Sequence, residues 1–136
     1  MDANLTKKVA QTCLDGAEAN MMTFPQIVQT LMKEGFEGYA IDFRRATATY
    51  YLTGGDSVEL PTHRAETPIA AAFDVGSVRA AIREAQQLVP GYTYAGFCRK
   101  VMAAGCAGYI VSFLGRRVLY FGRTAETHIE LFPPQP

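Results

Sequence analysis

The sequence predicts an α+β fold in which a helix-helix-three-strand unit occurs twice, with one antiparallel sheet packed against four helices about a pseudo-two-fold axis. Three observations predict it. The stretch TFPQIVQTLMKEGFEGYAIDFRRATATYYLTGGDSVEL, beginning at Thr23, returns at Thr93 as TYAGFCRKVMAAGCAGYIVSFLGRRVLYFGRTAETHIEL. At an offset of 70, seven positions are identical: Thr23/Thr93, Met32/Met102, Gly35/Gly105, Gly38/Gly108, Tyr39/Tyr109, Phe43/Phe113 and Tyr50/Tyr120. With one inserted residue, at an offset of 71, Glu59/Glu130 and Leu60/Leu131 match as well. Unrelated stretches of this length share about two identities, at roughly 6% per position. In each copy, moreover, apolar residues keep helical spacing before the first shared glycine and alternate like a strand after it.

Taken in order, residues 4–20 carry Leu5, Val9 and Cys13 on one helical stripe, with Asp2 or Asn4 available as N-cap. Thr23 reads as the N-cap of a second helix, Pro25 fits its first turn, and Ile27, Val28 and Leu31 form its buried face. Gly35 ends it. Residues 39–43 alternate as a half-buried strand, Arg44-Arg45-Ala46 turns the chain, and strands over 49–52 and 57–60 follow across the Gly54-Gly55-Asp56 turn. Residues 61–76 form a connector whose apolar middle, Ile69 to Phe73, packs down. Asp74 or Ser77 caps a third helix with Val78, Ile82 and Ala85 on its stripe, ended by Pro90-Gly91. The second copy repeats the plan: a helix from Thr93 to Gly105, then strands near 109–113, 117–122 and 128–132, before a loose PPQP tail. The chain thus reads as one domain with halves at about 4–60 and 77–132. Gly35 and Gly105 are expected at positive φ, so valine at either costs on the order of 1 kcal/mol or more.

Composition narrows the function classes. Thirteen basic and thirteen acidic side chains cancel, so the long-range field that draws proteins onto nucleic acid or anionic lipid is absent. No apolar run reaches the roughly 18–20 residues of a membrane span, and the opening MDANLTKKVAQ lacks the apolar core of a signal peptide. Three cysteines at unrelated spacings give neither a disulfide framework nor a zinc motif, which points to a reducing cytoplasm. Phosphate loops, dinucleotide fingerprints, HExxH, the nucleophile elbow and CxxC do not occur. No nucleic acid, membrane, metal or cofactor is expected, and no catalytic residue is assigned.

The repeat serves as an internal control on candidate residues. Cys98 aligns with Val28 and Cys106 with Phe36, so both thiols read as small buried hydrophobes. His128 aligns with Ser57, and His63 lies in the connector without a counterpart; two isolated histidines make a weak metal site. Arg44-Arg45 and Arg116-Arg117 fall at equivalent turns, where they either keep the sheet ends solvated or bracket an anionic group. Tyr39/Tyr109, Tyr50/Tyr120 and Glu59/Glu130 recur, either as framework or as the lining of a ligand groove. Asp42 opposite Ser112 is the clearest polar difference on matched strands. The candidate ligand-contacting set is therefore Tyr39, Asp42, Arg45, Tyr109, Arg116, Arg117, His128 and Glu130.

The run FPQIVQTLMKEGFEGYAIDFRRATATYYL and its partner FCRKVMAAGCAGYIVSFLGRRVLYFGRTAETHIELFP resemble the small bacterial family typified by the YbcV and YdfO proteins. The resemblance implies a prophage-associated α+β domain of unknown function, sometimes labelled phage envelope protein, without a reaction, cofactor or catalytic residue. Relatives often carry histidine after the tyrosine of the G-x-x-G-Y segment. Ala40 and Ile110 stand there, so no role for such a histidine carries over. Three readings follow. The first is a cytoplasmic, non-enzymatic accessory module, monomeric or weakly dimeric, that contacts a protein or small ligand. The second is an enzyme with a pocket at the seam of the repeats, lined by Tyr39, Asp42, Tyr109 and Glu130. The third is a phage-derived structural protein assembling through strand edges.

Overall fold

The computed structural model describes residues 3–133. Its elements run α1 (Ala3–Glu18), α2 (Phe24–Lys33), β1 (Phe36–Asp42), β2 (Thr47–Leu52), β3 (Ser57–Pro61), α3 (Val75–Gln87), α4 (Tyr94–Ala103), β4 (Cys106–Ser112), β5 (Arg117–Gly122) and β6 (Thr127–Leu131). This is the duplicated α+β order that the repeat predicts. The Asp2 cap and the end of the PPQP tail lie outside the described residues.

The helix starts follow capping chemistry. Thr23 Oγ1 accepts from the Gln26 amide, and the Gln26 side chain returns the bond to the Thr23 N–H at 2.8 Å. In the second copy Thr93 Oγ1 accepts from the Gly96 amide at 3.0 Å, and glycine at 96 leaves the box half built. Asp74 caps α3; the Ser77 hydroxyl and amide both donate to it and hold its carboxyl below the usual range. Gly35 and Gly105 close α2 and α4 at φ of 98° and 95°, the left-handed region that the sequence predicts for both.

The six strands lie in the order β3-β2-β1-β4-β5-β6, every neighbour antiparallel. The copies meet at β1–β4, where Ala40 pairs with Ile110, its own counterpart in the repeat. The pseudo-two-fold therefore passes through that pair. Gly38 and Gly108 recur beside it because a Cβ at either would strike the carbonyl oxygen of Val111 or of Ile41 across the seam. Helices cover one face: α2 lies on β1, α4 on β4, and α1 bridges to α4. Leu31, Leu60, Val78, Val101 and Val111 are fully buried between the layers. The connector is pinned to the end of α4, with the Ala70 amide donating to Met102 O at 3.1 Å and the Asp74 amide to Ala104 O at 2.7 Å.

Two sequence alignments need correction. Tyr50 pairs with Val58 and Ala48 with Leu60, while Tyr120 pairs with His128 and Val118 with Glu130. The offset of 70 thus holds to the last strand, and there is no inserted residue. Glu130 corresponds to Leu60, His128 to Val58, and Glu59 to Ile129. A one-residue slip carries a side chain to the opposite face of a sheet, so the Glu-Leu match in sequence pairs residues on different faces. The arginines shift likewise. Arg116, at φ 51°, takes the place of Ala46, at φ 54°, and Arg44-Arg45 stand opposite Leu114-Gly115.

Candidate functional site

A cavity of about 610 Å³ opens between the helices and the sheet where the two copies join. Both copies supply its walls: the end of α1, the start of α2, the helix-facing side of β1, β2, β4 and β5, one face of α3, and the residues around the end of β6. Six of the seven tyrosines line it, namely Tyr39, Tyr50, Tyr92, Tyr94, Tyr109 and Tyr120. Strand register explains the concentration. Tyr39 faces Tyr50, and Tyr109 faces Tyr120, so one duplicated cross-strand pair delivers four rings to one surface. Ring centroids lie 5.3 Å apart in the first pair and 5.5 Å in the second, and Tyr39 meets Tyr109 edge-on at 6.4 Å across the seam.

Burial raises the pKa of each of these phenols: Tyr92 to about 12, and Tyr39, Tyr94 and Tyr109 well above the ordinary tyrosine value. They are hydrogen-bonding hydroxyls, not phenolates. Tyr94 and Tyr109 pair hydroxyl to hydroxyl at 2.7 Å, a bond with no first-copy equivalent because Phe24 stands where Tyr94 does. Among the described residues no fully buried side-chain polar atom lacks a partner. Each wall hydroxyl is therefore paired or reaches accessible space.

The rim is apolar and unusually open. Met21, Leu88 and Leu131 are 79%, 58% and 61% exposed, and Phe24 and Phe132 meet edge-on at 5.5 Å. Among the described residues Glu130 is the only Asp, Glu, Lys, Arg or His lining the cavity. His128 Nε2 lies 3.0 Å from one carboxylate oxygen, and the Gln86 amide donates to the other at 3.4 Å. A carboxylate oxygen accepts, so the tautomer with Nε2–H is the one that makes this bond. The His128 ring stacks on Tyr120, which fixes the pair against the aromatic wall.

Of the candidates from sequence, Tyr39, Tyr109 and Glu130 come together at this cavity, and His128 stands behind Glu130. Asp42 does not line it; its carboxylate accepts from the Arg44 and Arg45 amides at 2.9 and 3.2 Å. Ser112 does the same work in the second copy, accepting from the Gly115 amide at 2.9 Å. Arg45 is exposed on its hairpin. Arg117 donates to Gly115 O at 3.0 Å, while Arg116 donates to Pro133 O and lies over the Phe132 ring. His63 lines a separate cavity of about 30 Å³, beside Cys98 and Met102. That is room for about one water. Burial pushes the Cys98 thiol up to about 12 and Cys106 to about 11, so neither is a ready nucleophile.

Tyr92, Tyr94 and Gln86 were not legible as site residues. Tyr94 left a trace in the Phe24/Tyr94 difference; Tyr92 and Gln86 lie outside or at the edge of the repeat and left none. Among the described residues no group of three or more His, Cys, Asp or Glu side chains is placed to hold a metal ion. Among the described residues no helix is long and apolar enough to cross a membrane. No curated protein matches the chain. Residues 13–130, most of both copies, match a family described as a protein of unknown function (DUF1398), and the chain belongs to that family.

Proposed function

We propose that this chain is a non-enzymatic cytoplasmic binding module that holds a small, largely apolar ligand in the cavity between its two copies. The observation that carries the reading is the cavity itself, whose volume of about 610 Å³ falls within the 300–1,000 Å³ of small-molecule sites. Its wall follows their pattern of broad apolar and aromatic surface with a few converging polar groups. Tyr39, Tyr109 and Glu130 are the ligand-contacting residues, and His128 positions Glu130. Asp42, Arg45, Arg116 and Arg117 serve the turns and the tail. The whole chain acts as one domain, monomeric or weakly dimeric, with residues 61–76 as connector. Three free cysteines with protonated thiols suit a reducing compartment. The resemblance to the YbcV and YdfO proteins adds a prophage-associated bacterial origin to this proposal, and no reaction.

N-phenyl-1-naphthylamine, a neutral dye that brightens in apolar surroundings, tests the reading. It is expected to bind saturably with one molecule per chain. Ala85→Phe on α3, or Ala17→Phe on α1, places a ring in the cavity and is expected to weaken binding by about tenfold or more, with thermal stability retained. Unsaturable binding, or full affinity in both variants, would remove the proposal.

A second reading, an enzyme on the same cavity, draws on the hydrogen-bonded His128–Glu130 pair, which has the geometry of an oriented general base. It requires turnover of a bound compound that His128→Gln abolishes while binding persists.

A further inference from the structure

We infer that the ligand class is a lipophilic organic cation, an aromatic or amphiphilic ammonium or phosphonium-like molecule, with its charge held at Glu130. The inference rests on the small-ligand reading of the same cavity and goes further by assigning the sign of the ligand's charge.

The argument starts from the place where the copies disagree. Corresponding positions on β3 carry Val58 and Leu60, and Leu60 is 2% exposed against the helices. On β6 the same two positions carry His128 and Glu130. The fold itself is therefore satisfied by two aliphatic side chains there. A carboxylate on the helix-facing side of a sheet costs solvation that a leucine does not, and Glu130, its side chain 32% exposed, offsets that cost partly through solvent and partly through its partners. His128 and Gln86 orient the two oxygens, yet neither is a fixed positive charge. Among the described residues the lining contains no lysine or arginine; the guanidinium of Arg116 meets two lining residues at the mouth, lying over the Phe132 ring and donating to Pro133 O.

The remaining surface suits a cation that is otherwise apolar. Tyrosine rings present electron-rich faces that attract ammonium and related cations, most strongly where water is excluded. An anion would face Glu130 with no basic wall residue to offset it. A neutral apolar molecule would fill the volume and bring the carboxylate no counter-charge beyond its His128 and Gln86 bonds. The apolar rim of Met21, Leu88 and Leu131 admits the hydrophobic body of the ligand, which a small hydrated cation lacks.

Tetraphenylphosphonium and tetraphenylborate, a near-isosteric pair of opposite charge, test this by displacement of bound N-phenyl-1-naphthylamine from the full-length protein. Tetraphenylphosphonium is expected to compete at least about tenfold better than tetraphenylborate. Glu130→Gln is expected to erase that preference, read as the ratio of the two ions' displacement constants against the dye affinity measured on the variant itself. Gln86→Lys, an exposed helix substitution that leaves Glu130 in place, is expected to weaken the phosphonium and favour the borate. Equal displacement by both ions, or a preference for the phosphonium that survives both substitutions, overturns the cation assignment while the ligand-binding reading stands. Failure of the dye to bind, together with no calorimetric heat from tetraphenylphosphonium, overturns both.

Discussion

Raising the pH past about 10 is expected to unfold the protein in one cooperative step, with phenolate absorbance rising in that same step. A phenol whose pKa is raised on folding holds its proton more tightly in the native state. The stability it contributes is therefore complete below the unfolded tyrosine value of about 10 and is lost as pH climbs toward the native value. Burial is the main cause at every wall tyrosine, and Tyr39, Tyr50, Tyr109 and Tyr120 are each at most 6% exposed. Each removes about 1.4 kcal/mol per pH unit while its native form stays protonated, so these four together remove about 5 kcal/mol per unit. A domain of this size has roughly 5–15 kcal/mol in total, so one to three pH units exhaust it. The thiols of Cys98 and Cys106, also raised by burial, add to the slope with the same sign. Circular dichroism and near-ultraviolet absorbance recorded along one titration check this. More than one phenolate per chain appearing while the native circular dichroism signal persists would contradict the burial of the wall, because Tyr51 alone of the seven tyrosines stands off it. A bound cavity ligand is expected to move the transition to higher pH, because it binds the folded form alone.

Gly105→Ala is expected to cost about 3 kcal/mol or more, against about 1 kcal/mol for Gly55→Ala. The two glycines share a positive φ, 95° and 103°, so alanine meets the cost of a left-handed φ at both. Their surroundings differ. A Cβ at Gly55 meets nothing within 4 Å, whereas one at Gly105 runs into the Ala72 carbonyl and comes within 2.9 Å of the Phe73 Cα. Both belong to the connector pinned against α4, and the Ala70 and Asp74 amide bonds leave that backbone little room to retreat. Urea denaturation of the two variants measures the difference, and equal losses would show that the connector yields. From sequence, Gly105 looked like a helix terminator whose replacement costs on the order of 1 kcal/mol. The structure adds a second burden, the close passage of the connector.

The fold was legible because it was written twice. Thr23 and Thr93, Gly35 and Gly105, and the alternation after Gly38 and Gly108 mark element boundaries by local backbone chemistry, and comparing copies removes much of the ambiguity. The first strand of each copy begins before its alternation does: β1 starts at Phe36 and β4 at Cys106, and a bulge next to each strand glycine interrupts the period of two. The last strand was misaligned for a different reason. Sequence identity favoured Glu59 with Glu130, while hydrogen-bond register, a tertiary fact, pairs Glu130 with the place of Leu60. That slip hid the strongest polar difference between the copies. Asp42 and Ser112 drew notice instead, and they prove to be interchangeable acceptors for turn amides. Tyr92 and Gln86 could not have been found, since only the packing of α3 over the sheet brings them to the cavity.

The axis through Ala40 and Ile110 has a historical consequence. A half-chain with this topology could complete its sheet by pairing β1 with β1 of another copy, so the present chain has the form of a homodimer whose subunits were joined end to end. In such a dimer every residue exists twice, and no position can change on one side alone. Covalent joining lifts that constraint. Leucine can remain under the helices at one end of the sheet while glutamate replaces it at the other, and a chamber inherited from a symmetric ancestor acquires a head and a tail.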